Sequence, residues 1–247
     1  MTLVLLSGGL DSAVLLAHES REHVVHPLFV SVGLAWEWAE LRVLDRLLAA
    51  PVFAGRVRPL SRAELTMRDV YSPSHWAIRG TPPAYDTPDE AVYLAGRNLV
   101  LLTKAGVVAA ERRLQRIALG PLAGNPFPDA RPEFFAAMER SLTLGLDHPV
   151  TVVAPFLHRQ KADIIMLGRA LGVPLELTLS CMSPCGRDAS DVARGTEGAG
   201  PLPIHCGRCS KCRERKEAFG AAGVRDPTPY ATDETIAGDT IAGEGTS

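Results

Sequence analysis

The chain has 247 residues, 46% hydrophobic and 22% charged, with 26 Lys and Arg against 28 Asp and Glu for a formal charge of -2. That composition excludes a disordered, collagen-like or coiled-coil bulk and is enough for one enzyme-sized unit with its own core. A near-neutral balance offers no large electrostatic grip on nucleic acid or anionic membrane, which needs clustered basic residues, so a small-molecule substrate is favoured. No apolar run approaches the roughly 20 residues that span a bilayer, and the start, MTLVLLSGGLDS, lacks a basic n-region and a small-residue cleavage site. A cytoplasmic protein is expected.

In chain order, Leu3 to Leu6 reads as a first strand, broken by Gly8 and Gly9, with a helix from Ser12 to His18. His23 to Val32 is a second apolar run. A helix follows from Trp36 to Ala49, with Leu41, Leu44, Leu47 and Leu48 at helical spacing, and Pro51 ends it. Val52 to Leu60 is the expected third strand. Ser61 to Glu90 carries Pro73, Pro82, Pro83 and Pro88 with little periodicity, the pattern of a lid or binding loop rather than a plain connector. Then come a helix (Asn98 to Arg113), a strand (Arg116 to Leu119), a helix (Pro132 to Leu144), a strand (Val150 to Phe156) and a helix (Arg159 to Leu171) stopped by Gly172 and Pro174. Strands alternating with helices predict a doubly wound parallel α/β sheet. From Leu175 the pattern changes to cysteines, a Gly/Pro-rich insert (RGTEGAGPLP) and a basic helical stretch, Arg208 to Ala222. The expected organisation is an ATP-binding body over 1–174, a metal-binding extension over 175–225 and an acidic, disordered tail over 226–247.

The sharpest local feature is SGGLDS, Ser7 to Ser12, between the first strand and the first helix. Paired glycines let backbone approach an anion, and the following helix start supplies open N–H groups and a positive dipole end, so phosphate is the natural ligand. No Lys follows as in GxxxxGK[ST], which disfavours a P-loop kinase or GTPase. A plain glycine turn with a polar cap is the ordinary alternative for a lone SGG. The complete hexapeptide resembles the pyrophosphate loop of the PP-loop ATP pyrophosphatases. That resemblance implies an adenine nucleotide α hydrolase-like fold and ATP, with its magnesium, cleaved between the α and β phosphates. It implies further that AMP passes to an oxygen of the substrate and that Leu6, Ser7, Gly8, Gly9, Leu10, Asp11 and Ser12 hold the nucleotide, with Asp11, Ser12 and Lys161 the expected catalytic residues.

All five cysteines, Cys181, Cys185, Cys206, Cys209 and Cys212, fall in one C-terminal stretch. An odd number in a reducing compartment is not a disulfide framework. Cys206-x2-Cys209-x2-Cys212 with Cys181 upstream supplies four thiolates for tetrahedral zinc, and the neighbouring Arg208, Lys211, Arg213, Arg215 and Lys216 can offset the charge. Cys185 is the spare, and an iron–sulfur cluster is the rival occupant.

With both motifs present, the chain resembles the 7-cyano-7-deazaguanine synthases, the QueC family of queuosine biosynthesis. The resemblance also rests on GRNLVLL (Gly96 to Leu102), PDARPEF (Pro128 to Phe134), APFLHRQKADI (Ala154 to Ile164), LGVPLELTLSC (Leu171 to Cys181) and CGRCSKCRERKEAF. It implies that ATP adenylates the carboxylate of 7-carboxy-7-deazaguanine, ammonia forms the amide, and a second adenylation dehydrates it to the nitrile, in a homodimer with structural zinc. By chemistry, Arg97 and Asn98 at a helix start suit a phosphate or carboxylate. Asp129, Arg131 and Glu133 can read the base or simply cap a helix, and Lys161 can balance departing pyrophosphate or be a solvated surface Lys. His158 reads as structural. Two segments depart from the family pattern, SVGLAWEWAE at Leu34 to Trp36 and GPLAGNPFPDA at Leu122 to Phe127. Both lie where the acceptor should be read, so a different acceptor, a PP-loop tRNA thiolase or a nucleotide-binding sensor are the competing readings.

Overall fold

Leu3 to Leu5 alternate between two apolar faces, the pattern of a strand buried on both sides. That strand, β1 (Thr2–Leu5), is central. The computed structural model describes residues 1–186 and 201–232. Within them the chain continues as α1 (Leu10–Ser20), β2 (Val25–Ser31), α2 (Glu37–Leu48), β3 (Ser61–Glu64), α3 (Trp76–Arg79), α4 (Arg97–Glu111), β4 (Arg116–Ala118), α5 (Pro132–Leu146), β5 (Thr151–Val153), α6 (Lys161–Ala170) and α7 (Ser210–Ala221). All five strands are parallel, in the order β3-β2-β1-β4-β5. Leu3 of β1 stands between His26 of β2 and Ile117 of β4.

On one face Leu3 and Leu5 pack with Leu102 and Ala105 of α4 and Phe135 and Met138 of α5. On the other, Val4 and Leu6 pack with Val14 and Leu15 of α1, Ile164 and Ile165 of α6 and Phe219 of α7. The expected doubly wound sheet is therefore present. Its helices approach closely where a side chain is missing: a Cβ on Gly168 of α6 would stand 2.7 Å from Val14 Cγ2 of α1. No side chain caps the start of α1, whose register is held by its buried Leu10, Ala13, Val14 and Leu15, and its first N–H groups stay open. Strand order reverses between β1 and β4, which places the crevice for a ligand beyond their carboxyl ends.

One expected strand is corrected. Val52 to Leu60 is not β3; Pro51–Phe53 form a 3-10 turn that buries Phe53, Gly55 turns the chain at φ +87°, and Val57 makes only an isolated bridge to Val25. Pairing with β2 resumes past Pro59, which has no N–H to give a ladder, at Ser61–Glu64. The first four residues of the expected irregular segment thus belong to the sheet. The remainder wraps the crevice: Ala35 N–H donates to Ala77 O (2.9 Å), Tyr71 Oη donates to Ala95 O (3.0 Å), and Trp36 stacks on Trp76 with ring centres 5.8 Å apart.

At the C-terminus the fully buried Arg215 of α7 donates to Leu175 O (2.9 Å) and Thr178 Oγ1 (2.9 Å) and pairs with Asp226 (3.4 Å). Residues 226–232 are tied down by Asp226 and by Tyr230, whose ring lies under Lys216. The acidic repeat at 233–247 and most of the Gly/Pro-rich insert, 194–200, lie outside the described residues. Among the described residues no helix is long and apolar enough to cross a membrane.

Candidate active site

The SGGLDS loop leaves β1 and enters α1 at the crevice. Gly8 takes φ +77°, a conformation glycine adopts without cost, and its missing side chain admits α2: a Cβ there would lie 2.9 Å from Val43 Cγ2 and 3.0 Å from Glu40 O. Gly9, extended at φ -68°, precedes the helix, and Gly8 O accepts from Leu179 N–H (2.9 Å). Ser12 Oγ donates to Gly9 O (3.0 Å), lies 3.3 Å from Ser7 Oγ and accepts from Ser7 N–H (3.3 Å). The two hydroxyls brace the loop, while the α1 N-terminus faces the cleft with its positive dipole end.

The cleft has two lobes. One, about 260 Å³, has apolar walls from Leu5, Leu28, Phe29, Val30 and Leu101 and a polar rim of Ser12, Glu40, Arg97 and Asp129. The other, about 290 Å³, runs from Asp11 past Trp36, Trp76 and the Leu122–Phe127 turn to Lys161, Lys211 and Glu214.

Charge in the second lobe is paired along a line. Lys161 Nζ lies 3.3 Å from Asp11 Oδ2 and 2.6 Å from Glu214 Oε1; Glu214 Oε2 accepts from Lys211 Nζ (2.6 Å), which stands 3.9 Å from Asp89 Oδ1. Burial alone would favour neutral Lys161, but the two carboxylates outweigh it and hold the ammonium charged well above the ordinary lysine range. Burial would likewise raise Glu214, yet the two lysines hold it at about 2. Asp11 Oδ1 and Arg97 Nε are buried without a hydrogen-bond partner, polar atoms left open for a ligand. Glu40 is pushed up to about 8, chiefly by burial, which the nearby Arg97 charge only partly offsets. Burial also raises Asp129, against the Asn98 N–H and Arg97.

Of the residues expected to touch substrate, Arg97 and Asp129 reach the cleft. Asn98 lines it too, but its amide donates to Asp129 O (2.9 Å) and its N–H to Asp129 Oδ2 (3.0 Å), tying α4 to the turn before α5. Arg131, Glu133 and His158 are exposed and line neither lobe.

Below the second lobe, Cys181, Cys206, Cys209 and Cys212 bring four buried sulfurs within 4.8 Å of one another. The Cys209–Cys212, Cys181–Cys209 and Cys206–Cys212 separations are 3.5, 4.0 and 4.0 Å. A tetrahedral zinc with bonds of about 2.3 Å needs sulfurs roughly 3.8 Å apart, so the cluster fits a metal ion with little adjustment. Cys181 Sγ also accepts from the N–H groups of Ser183 and Cys206 (both 3.3 Å). Cys185 is buried outside the cluster, its backbone bridged to Ile204. The basic residues beside the cluster have other partners: Arg215 has Asp226, Lys211 has Glu214, and Arg213 has Thr87 O.

A family model described as "Queuosine biosynthesis protein QueC" matches residues 1–223. The chain belongs to the QueC family. A relative from Azoarcus sp. (strain BH72), named 7-cyano-7-deazaguanine synthase, is 35% identical over 244 residues, covering 92% of this chain and 96% of the relative. One of the same name from Magnetococcus marinus is 34% identical, with 92% and 96% covered, and one from Methanopyrus kandleri is 30% identical, with 93% and 98% covered.

Sequence reasoning missed four residues of this QueC-family cleft: Glu40, Trp76, Asp89 and Glu214. The carboxylates sit in helical stretches, where charge ordinarily faces water, and Trp76 lies in a segment without periodicity. The one available signal was the alternation of charge in KCRERKE, which fits a solvated helix face equally well.

Proposed function

We propose that the chain is an ATP-dependent ligase that converts 7-carboxy-7-deazaguanine and ammonia to 7-cyano-7-deazaguanine, with magnesium accompanying ATP and zinc on the four thiolates. The reading includes a homodimer and a cytoplasmic location, where thiols stay reduced. The observation that carries it is the uncapped α1 N-terminus at the strand-order reversal with Lys161 beside it, in a chain of the QueC family.

Adenine suits the apolar lobe, and its triphosphate then runs over the SGGLDS loop. The acceptor carboxylate oxygen attacks the α-phosphorus and pyrophosphate leaves toward Lys161, where buried positive charge meets the developing negative charge. Ammonia displaces AMP from the acyl carbon to give the amide. In the second round the amide oxygen attacks another ATP, pyrophosphate leaves again, and loss of AMP with the nitrogen protons gives the nitrile. Arg97, with its open Nε, is assigned to the acceptor carboxylate or the α-phosphate, and Asp129 beside it to the base. Asp11 and Ser12 shape the loop, while Arg131 and Glu133, being exposed, are kept only as candidates for the edge of a closed form. Zinc supplies no chemistry in this scheme; it staples the body, 1–174, to the extension, 175–225. All five cysteines are buried, four of them convergent, which argues against a cysteine sulfur carrier and hence against a tRNA thiolase.

The test is pyrophosphate release by the full chain with ATP, ammonium and 7-carboxy-7-deazaguanine, products followed by mass spectrometry. Nitrile and AMP are expected. Pyrophosphate-free ATP binding with no product refutes the ligase reading.

A further inference from the structure

We infer that Glu214 is a positioning residue for pyrophosphate: it holds Lys161 beside the SGGLDS loop and offsets part of its charge, so that the product is bound yet still leaves. This rests on the nucleotide-loop reading proposed above.

Glu214 accepts from two ammonium groups at once, Lys161 through Oε1 and Lys211 through Oε2, each at 2.6 Å. The Lys161 contact with Asp11 is longer, 3.3 Å, so Glu214 makes the shorter of the two ion pairs that hold Nζ. Lys161 is the first residue of α6 and Glu214 lies in the first turns of α7, and both side chains line the same lobe. The placement of Glu214 is set from below: Cys209 is the residue that precedes α7, and Cys212, two residues before Glu214, contributes its sulfur to the cluster. A helix rooted in the thiolate cluster thus delivers a carboxylate into the nucleotide site. That carboxylate makes charge-assisted hydrogen bonds to the ammonium groups a polyphosphate would otherwise take.

The balance of charge explains why such a competitor is useful. Arg97, Lys161 and Lys211 line this lobe together with Asp11, Asp89 and Glu214, and with Glu40, whose carboxyl burial pushes up to about 8. Without the Glu214 charge, Lys161 and Lys211 would keep only their longer contacts to Asp11 and Asp89 and would hold pyrophosphate more tightly, and turnover needs its release twice per nitrile formed. A structural alternative makes Glu214 a brace between α6 and α7 with no effect on anion affinity.

The test is the dissociation constant of inorganic pyrophosphate for the full chain by titration calorimetry, with melting temperatures and the split between kcat and KM for ATP. In Glu214→Gln, loss of one negative charge within several ångströms of the anion tightens pyrophosphate binding by about five- to tenfold. The kcat falls more than KM rises as release slows, and Glu214→Asp, which keeps the charge, returns the affinity toward wild type. Unchanged pyrophosphate affinity in Glu214→Gln alongside a lowered melting temperature overturns the proposal in favour of the brace. If the Gln variant does not fold, Glu214→Ser removes the same charge and is read in the same way. Unfolding of every charge-removing variant while Glu214→Asp folds also decides for the brace. Failure of the wild-type chain to bind pyrophosphate would instead strike the nucleotide-loop reading itself, and is distinguishable because it appears before any substitution.

Discussion

Replacing Gly8 by Ala separates two demands that one glycine meets. The first is conformational: at φ +77° an alanine meets its own backbone, a cost of roughly 1–2 kcal/mol. The second is steric, since the new Cβ would stand 2.9 Å from Val43 Cγ2, 3.0 Å from Glu40 O and 3.3 Å from Leu44 Cγ. Glu40 O is helix backbone and cannot rotate away, so α2 must move, at about 1–3 kcal/mol for overpacking. The sum, about 2–5 kcal/mol, corresponds to a fall in melting temperature of roughly 5–15 °C for a domain of this size. Gly124 is the matched control, with the same φ of +77° and nothing within 4 Å of a built Cβ. Gly124→Ala should cost only the conformational part, about 1–2 kcal/mol. Thermal melts of both variants without ligand decide the matter. Displacement of α2 also carries Glu40 away from the cleft, so Gly8→Ala should weaken ATP binding in the same preparation. Equal losses at the two positions would refute the claim that close approach of α2 is what the first glycine of the loop provides.

The pH dependence should expose Glu40. Its folded carboxyl is raised from 4.5 to about 8, so the folded chain holds the proton more tightly than the unfolded one, and stability present at acid pH is lost as pH rises toward and through 8. Glu40→Gln, neutral throughout, should melt alike with wild type near pH 5 and above it near pH 9; parallel curves would show that Glu40 ionises freely in the folded chain. Cys209→Ser should abolish stoichiometric zinc and lower the melting temperature to that of chelator-treated wild type, and a metal-free variant with an unchanged melt would defeat the staple. Arg215→Met should cost about 3–5 kcal/mol in denaturant unfolding, because it leaves Asp226, Leu175 O and Thr178 without the guanidinium. A loss under about 1 kcal/mol would mean that the thiolate cluster alone holds α7.

The parts legible in the sequence were those where one local pattern has one physical solution. An apolar run cut by Gly8 and Gly9 can only turn from strand to helix there, and CxxCxxC with Cys181 upstream converged as expected, leaving Cys185 outside. The misplaced third strand shows the opposite case. SRAE has no apolar face because β3 is an edge strand, exposed at alternate residues, and its place is decided by pairing with β2 rather than by its own composition. Asn98 reads as a ligand group by its polarity, yet the structure engages its amide with Asp129, a partner 31 residues away. Glu40 and Glu214 show the converse: a carboxylate on a helix reads as solvated until the fold buries it.

The two segments that depart from the family pattern, far apart in the chain, meet in one place. Trp36 and the turn from Leu122 to Phe127 line the same lobe as Lys161 and Glu214, and Trp36 is backed by its stack on Trp76. The apolar walls suited to adenine come instead from Leu5, Leu28, Phe29 and Val30, outside both departures. The turn also reaches the apolar lobe through Asn125 and Phe127, but the loop, the strand-order reversal and Lys161 lie outside both departures, and in the ligase reading proposed above the surface left for the acceptor includes a flat, buried indole. A planar heterocycle is the acceptor such a wall accommodates, since a stacked ring gains contact without requiring the hydrogen bonds that the family's polar residues would have offered.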